Sequence, residues 1–189
     1  VIASRGDVAG AVKVGAGAMD MWSAVGDTLR MAAMSLALAA MHLSMGEVRN
    51  CVELLEGSLL LSRRARDKVG LSEGLHALGA CFARIGYYAH ALEHLNQALS
   101  LCKQVGDSIG EARCLCVLGF VHMSQKDLQR SLLCYDTSLR IFQRRNDVFG
   151  QVACHEGMAK ARRAQGSDFL ADAHAEEAAS IRTSPQART

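Results

Sequence analysis

Proline and aromatic residues are scarce in this sequence: one proline stands at position 185, and aromatics make up 5% of the 189 residues. Proline breaks helices, but aromatic residues favour strands, so their joint scarcity favours an all-helical fold. Long apolar runs are missing as well. The longest weakly charged stretch, residues 31–46, is shorter than the roughly 18 to 20 residues of a membrane span and contains His42, so we expect a buried helix there and no membrane contact.

A strong net charge of either sign is also missing, since 21 Lys and Arg stand against 19 Asp and Glu, for a formal charge of +2. Nucleic acids and anionic membranes attract proteins through a concentrated positive field, so neither partner is expected. The 50% hydrophobic content is enough for a real core and excludes a disordered chain.

The seven cysteines are scattered through apolar stretches, at positions 51, 81, 102, 114, 116, 134 and 154. Their odd number and the lack of a small turn-rich domain argue against a disulfide framework, so we expect reduced thiols in a cytoplasmic protein. No basic start followed by an apolar segment and a cleavage site is present. Because the chain opens without Met, midway through the pattern described next, we expect it to be a piece of a longer protein.

Turn-like residue pairs recur every 40 residues in two interleaved series. The first series is Gly6-Asp7, Gly46-Glu47, Gly86-Tyr87, Lys126-Asp127 and Gly166-Ser167, and the second is Gly26-Asp27, Arg66-Asp67, Gly106-Asp107 and Asn146-Asp147. Between them, apolar residues fall at helical spacing. The aspartates of the second series are suited to cap the following helices, and Gly26, Gly106 and Asn146 to end the preceding ones in a left-handed conformation. Ser108 and Glu111 also have the spacing of a capping box.

Small residues follow the same period, as Ala11, Cys51, Ala91, Ser131 and Ala171 in one series and Ala18, Ser58, Ala98, Ser138 and Ala178 in another. Members of the two series are seven residues apart and share one helix face, so they let two helices approach closely. Helix pairs of this kind are stable when they stack into a continuous core. We therefore predict a right-handed superhelical solenoid of antiparallel helix pairs, with about four and a half repeats.

The predicted helices are 7–24, 28–44, 47–64, 68–84, 87–104, 108–124, 127–144, 148–164 and 168–182. The repeat domain covers residues 1–182, divided into 1–25 (partial), 26–65, 66–105, 106–145 and 146–182. Residues 1–5 resemble the tail of a missing helix, and residues 183–189 are expected to be disordered.

The residues at these positions resemble the tetratricopeptide repeat. Its pattern is matched by Leu75, Leu78-Gly79, Phe82, Ala91, Leu95 and Ala98, and then by Leu115, Leu118-Gly119, Ser131, Tyr135 and Ser138. A period of 40 residues looks like the longer-repeat subclass of LGN-type and rapsyn-like scaffolds. The resemblance specifies the fold strongly and the function weakly.

Candidate sites for metal or catalysis are few. His90 and His94 have a spacing that can place two imidazoles on a metal, but no third ligand is in register and "HALEH" is not the HExxH motif. The chain also lacks a GxSxG elbow and the glycine-rich phosphate loops. We therefore expect no metal, no cofactor and no enzymatic activity.

In the resembled family the first helix of each pair lines a concave groove that binds an extended peptide or a partner helix. Carried onto this sequence, the groove residues are His76, Ala80, Arg84, Arg113, Cys116, Phe120, Met123, Glu156, Lys160 and Arg163. Arg84, Arg113, Lys160 and Arg163 are the expected anchors for carboxylates, and Phe120 is the expected apolar anchor. The corresponding residues of the preceding repeat are apolar: Ala33, Leu36, Ala40 and Leu43.

This arrangement favours a protein-binding scaffold whose ligand has an apolar stretch followed by acidic residues. Two alternatives remain open. Self-association could bury the apolar groove or the ends of the stack, and a helical-repeat RNA-binding protein is disfavoured by the near-neutral charge and the absence of stacking aromatics in the first helices. Some groove residues could instead face a missing neighbouring repeat.

Overall fold

A computed structural model describes residues 5–184, with side chains described from residue 8 onward. Within that range the chain is all-helical and has no strand. The nine helices are α1 (Arg5–Val25), α2 (Thr28–Met45), α3 (Val48–Arg64), α4 (Lys68–Arg84), α5 (Tyr88–Val105), α6 (Ser108–Ser124), α7 (Leu128–Arg144), α8 (Val148–Ala164) and α9 (Asp168–Thr183).

The helices stack as hairpins with an inner and an outer layer. The inner helices α2, α4, α6 and α8 pack against one another in chain order, and each also packs against the outer helices that precede and follow it. Among residues 5–184, the outer helices α1, α3, α5, α7 and α9 make no contact with one another. The predicted solenoid of helix pairs is therefore confirmed, and its concave surface is formed by the inner helices.

The turns of the second series cap the inner helices as predicted. Asp27, Asp67, Asp107 and Asp147 each accept a hydrogen bond, at 2.9–3.0 Å, from a backbone N–H in the first turn of the following helix. The capping box expected of Ser108 and Glu111 is wrong, because Asp107 occupies the cap position. The Glu111 carboxylate lies 3.7 Å from the ammonium of Lys103 instead.

Every turn between two consecutive helices contains a residue with positive φ. Gly26, Gly106 and Asn146 were expected there, and the structure confirms them at 74°, 74° and 55°. Arg66 and Lys126 adopt the same conformation at 54° and 65°, although their side chains disfavour it. The period of the fold thus overrides local preference at these two positions.

The small-residue series lies where helices approach most closely. Cys51, Ala91, Ser131 and Ala171 are at most 1% exposed, and Ser58, Ala98, Ser138 and Ala178 at most 3%. Ser58 and Ser138 also donate hydrogen bonds to the backbone carbonyls of Ala32 and Ala112 on the paired inner helix, at 3.0 and 2.7 Å. The close helix contacts expected from this pattern are therefore present.

The first helix differs from the expected one. It begins at Arg5 and runs through Gly6 and Asp7, where a turn was predicted. Its small residue Ala11 is exposed, whereas the four equivalent residues are buried. Residues 1–4 and 185–189 lie outside the described residues, so the expected tail at 183–189 is described only for Thr183, which ends α9, and Ser184.

Helix α2 is the one described helix that is long and apolar enough to cross a membrane, judged by length and composition alone. Residues 31–46 were expected to be too short for a membrane span, but the helix Thr28–Met45, which contains most of them, meets the criteria of length and hydropathy. Only 22% of this window is buried. The helix nevertheless occupies the inner-layer position of a hairpin with α3 and packs against α1 and α4.

Candidate functional site

The concave surface contains a hollow of about 350 Å³ that spans α4, α6 and α8. We call it the concave hollow. Seven of the ten predicted groove residues lie in it, and five residues absent from that set complete its lining. The seven are Ala80, Arg84, Cys116, Phe120, Met123, Glu156 and Lys160, and the five are Ala83, Val117, Tyr135, Ala153 and Gly157.

The floor of the concave hollow comes from an outer helix. Tyr135, on α7, is 3% exposed and reaches the hollow between α6 and α8. A Cβ atom at Gly157 would lie 2.3 Å from Cζ of the Tyr135 ring, and one at Gly119 would lie 3.0 Å from it. The hydroxyl end of the ring therefore fits between the two inner helices only because both positions are glycine.

The apolar part of the hollow is centred on α6. Phe120 is 37% exposed, and Met123 beside it is half-buried. An aromatic side chain in this position offers a large area for an apolar group of a ligand. The predicted apolar anchor therefore lies at the expected place, on the concave surface.

The charged part of the hollow is made by Arg84, Lys160 and Glu156. Glu156 accepts a hydrogen bond and ion pair from Arg182 of α9, so its charge is compensated within the hairpin. Neither Arg84 nor Lys160 has a carboxylate within ion-pair distance in residues 8–184, as the eight ion pairs found there involve other cations. The hollow therefore carries two positive charges without an internal counter-charge.

Three predicted groove residues lie elsewhere. His76 and Arg113 line a separate gap of about 10 Å³ between α4 and α6, together with Ser72 and Asp107. Burial, with the nearby Arg113 guanidinium, lowers the pKa of His76 to about 4. Arg163 donates to the Asp172 carboxylate of α9 at 2.8 Å, so its charge is already used within the last hairpin.

The apolar amino end of the expected groove is largely taken up by packing. Leu36 and Leu43 are half-buried against the core cluster that contains Leu55 and Leu78. Ala33 and Ala40 remain exposed but offer little surface. The concave hollow over α4, α6 and α8 is therefore the better-defined recess of the inner layer.

Tyr135 is the hollow residue that sequence reasoning missed. It was assigned only to the repeat pattern, because its position is a core position in each repeat. A signal was available, since the residues 40 and 80 positions earlier are both leucine, and a tyrosine carries a hydroxyl that a core does not need.

The histidines expected not to bind metal pack against an aromatic ring. Phe82 stacks on His94 with ring centroids 5.5 Å apart, and it contacts His90 in a tilted arrangement with centroids 5.4 Å apart. In the described part of the chain, no group of three or more His, Cys, Asp or Glu side chains is placed to hold a metal ion.

A second histidine pair, unnoticed in the sequence, joins α8 to α9. The Nδ1 atoms of His155 and His174 are 3.2 Å apart. Burial lowers the pKa of both imidazoles, and in His155 the neighbouring His174 adds to the effect. The pair therefore favours neutral imidazoles in the folded protein.

All seven cysteines are free, and five of them are buried. The Sγ atoms of Cys51 and Cys81 are 3.8 Å apart. Burial, followed by the neighbouring Cys81, raises the pKa of the Cys51 thiol to about 12. Such thiols pack as small apolar groups.

Solved structures of other proteins share this architecture. BtubC (BKLC) from P. vanneervenii has 17% identity with a TM-score of 0.69, and the match covers 93% of this chain and 81% of that one. The TPR-like repeats of a Podosopora anserina kinesin light chain have 18% identity with a TM-score of 0.69, over 94% and 88%. MamA has 18% identity and a TM-score of 0.61, over 93% and 89%. At these identities the likeness concerns the fold.

The tetratricopeptide repeat family model matches residues 29–104. A comparison with curated proteins finds no match. The matched segment runs from α2 to α5, and α6–α9 continue the same 40-residue hairpin pattern. Residues 29–104 are therefore similar to tetratricopeptide repeats, and the described chain has the TPR-like solenoid fold.

Proposed function

We propose that this protein is a binding scaffold that holds an acidic peptide segment in its concave hollow and performs no chemistry of its own. Tetratricopeptide repeats in general bind protein or peptide partners. One observation carries the specific proposal: Arg84 and Lys160 line the hollow without an internal carboxylate partner, while its one acidic residue is paired with Arg182. An acidic ligand would supply the missing counter-charge.

The apolar lining adds a second requirement. Phe120, Met123 and the alanines of α4 and α8 surround the recess, so a ligand side chain placed there should be apolar. Phe120 lies on the central helix with one cation on the helix on either side, so the peptide should combine an apolar residue with neighbouring acidic ones. The order in which an apolar stretch is followed by acidic residues stays a prediction. Arg113 contributes to the basic character of the surface but lies outside the hollow.

Two finer assignments belong to the same proposal. The 40-residue period and the turn pattern support the long-repeat subclass of LGN-type and rapsyn-like scaffolds. The seven free thiols, five of them buried in the core, fit a reducing, cytoplasmic setting.

The experiment is a synthetic array of twelve-residue peptides in which the number of Asp and Glu residues and the position of one large apolar residue vary systematically. The native chain should retain peptides that combine both features. The double variant Arg84→Glu and Lys160→Glu should lose them, because it places negative charge on both sides of the hollow. The matched control reverses Arg64 and Arg144, which are exposed on the outer helices, and changes the net charge equally.

Loss of acidic peptides by the hollow variant alone supports the proposal. Equal loss with the control variant would mean that overall charge, and not the hollow, attracts the peptides. If the native chain bound neutral peptides better than acidic ones, the proposed ligand class would be wrong.

Self-association is a second candidate, and a specific observation favours it. Helix α1 exposes Val14, Met21 and Val25, whose side chains are 75%, 71% and 81% exposed and lie on one helix face. A second copy of the chain could cover this face. Light scattering over a dilution series should then show a dimer that Val14→Lys with Met21→Lys converts to a monomer, whereas a mass that stays monomeric at every concentration rejects this candidate.

A further inference from the structure

Tyr135 has a hydroxyl group that the fold does not use. None of the side-chain hydrogen bonds found among residues 8–184 involves this hydroxyl. It is also absent from the fully buried side-chain atoms that lack a partner there, so it keeps some contact with solvent. Its ring is otherwise enclosed, since the residue as a whole is 3% exposed. Tyr135 lines the concave hollow, which therefore gives this hydroxyl access to a ligand.

The gap that admits the ring is particular to this repeat. At the two earlier equivalents of Tyr135 the chain has Leu55 and Leu95, and at the two earlier equivalents of Gly157 it has Ala77 and Val117. Leu55 and Ala77 share one core cluster, and Leu95 and Val117 share another. Among these three repeats, the facing residue on the following inner helix is glycine only where leucine is replaced by tyrosine. The extra length of the tyrosine ring is thus matched by the removal of a side chain.

A tyrosine placed only for packing would not need this opening, because leucine already fills the equivalent space in two other repeats. Resting on the function proposed above, we propose that Tyr135 is a specificity-determining residue whose hydroxyl donates a hydrogen bond to a carboxylate oxygen of the acidic peptide in the concave hollow.

The surroundings fit this role. Burial raises the pKa of the Tyr135 phenol above its ordinary value, so the hydroxyl stays protonated at neutral pH and acts as a donor. Arg84 and Lys160 line the same hollow and attract a carboxylate to it. A hydrogen bond to a charged acceptor in such a partly enclosed place is stronger than one between neutral groups.

The test uses the full chain and the array peptide that the native protein binds most strongly, labelled with fluorescein and titrated by fluorescence anisotropy. Tyr135→Phe removes the hydroxyl and leaves the ring in its gap. The matched control is Tyr88→Phe, because Tyr88 is half-buried against the core and lies outside the hollow. Each Asp or Glu of the peptide is also replaced, one at a time, by Asn or Gln.

Tyr135→Phe should weaken binding about tenfold or more, whereas Tyr88→Phe should change it less than about twofold. One amide-substituted peptide should show almost no further loss with Tyr135→Phe, since its carboxylate is the acceptor. The melting temperature of Tyr135→Phe without peptide should stay within about 2 °C of the native value, because the hydroxyl has no partner in the fold.

The outcomes separate this inference from the function on which it rests. A peptide that binds, and is lost on reversal of Arg84 and Lys160, but is indifferent to Tyr135→Phe would overturn the inference and leave the function standing. If Tyr135→Phe weakened the binding of every amide-substituted peptide by the same factor, the inference would also be overturned, because no single carboxylate would then be coupled to the hydroxyl. A native chain that binds none of the acidic peptides would overturn both.

Discussion

Replacing Gly157 by alanine tests the floor of the concave hollow directly. In an open helix this substitution stabilises the fold by about 1 kcal/mol, because alanine has the higher helix propensity. At Gly157, however, the new Cβ would lie 2.3, 2.4 and 2.8 Å from three carbons of the Tyr135 ring. Favourable carbon contacts lie near 3.5–4.0 Å, so the ring or the helix has to move.

The ring has little room to move, because Gly119 also lies close to it: a Cβ atom built there would be 3.0 Å from Cε1 and Cζ of the ring. Overpacking of this kind costs about 1 to 3 kcal/mol, and the enclosed ring places the cost at the upper end. After subtraction of the gain in propensity, we expect Gly157→Ala to lower the free energy of unfolding by about 2 kcal/mol. For a chain of this length that corresponds to a melting temperature about 4 to 8 °C lower.

The matched control is Gly57→Ala in α3, where a Cβ would meet nothing within 4 Å. It should raise the free energy of unfolding by up to about 1 kcal/mol, so the two chemically identical changes should differ by about 3 kcal/mol. Urea and thermal unfolding followed by circular dichroism measure both. The double variant Gly157→Ala with Tyr135→Leu restores the leucine pairing of the other repeats and should be less damaged than the sum of its single changes.

If Gly157→Ala stabilised the chain as much as Gly57→Ala, the Tyr135 ring could not lie against Gly157. The floor of the concave hollow and the assignment of the Tyr135 hydroxyl to a ligand would then both be wrong.

Three further outcomes are expected. Lys126→Gly should raise the free energy of unfolding by up to about 1 kcal/mol, because Lys126 has a φ of 65°, and a melting temperature that falls would show that its side chain matters more than its backbone. Stability should fall as the pH drops from about 6.5 towards 4, because the pKa of His76 is lowered to about 4 in the folded chain and the unfolded chain takes up the proton first. This contribution is at most about 3 kcal/mol, and urea unfolding of native and His76→Gln proteins at pH 7 and pH 5 should show a smaller acid loss in the variant. Cys51 and Cys114 should react with Ellman's reagent at pH 8 only after unfolding, since burial raises the pKa of both thiols to about 12, and rapid labelling of either in the folded chain would contradict their enclosure.

The helices could be predicted from the sequence because their ends are determined locally. An aspartate that caps the next helix and a glycine or asparagine that ends the previous one act within four residues, and both recur every 40 positions. Arg66 and Lys126 show that the period carries information beyond residue type. At these positions neither side chain favours positive φ, yet the turn was correctly placed by its register with Gly26 and Gly46.

The first helix could not be predicted equally well. Gly6-Asp7 has the composition of the later turns, but a turn of this kind forms where a preceding inner helix ends and packs back. In the described residues α1 simply begins at Arg5. The local signal is therefore insufficient for a turn in this fold, since the packing of the adjacent helix contributes the rest.

The repeat register predicts only part of the charge pattern of the concave surface. Register places Arg84, Lys160 and Arg163 on the inner layer, because it counts residues along one helix. Whether each cation is available depends on side chains of another helix at a different register. Asp172 pairs with Arg163, and Arg182 pairs with Glu156, and both partners lie on α9.

Such cross-helix pairs differ from repeat to repeat even where the backbone repeats faithfully, because exposed side chains are free to vary while core positions are constrained by packing. The same reasoning applies to Tyr135. Its place in its own helix is an ordinary core position, but the room for its ring depends on the absence of a side chain at Gly157 in the next repeat. If Tyr135 contacts the ligand as proposed, binding specificity in a solenoid of this kind should arise where a core position and its neighbour depart together from the repeat. Comparing each pair of facing residues between repeats should find these places better than examining the groove positions of one repeat at a time.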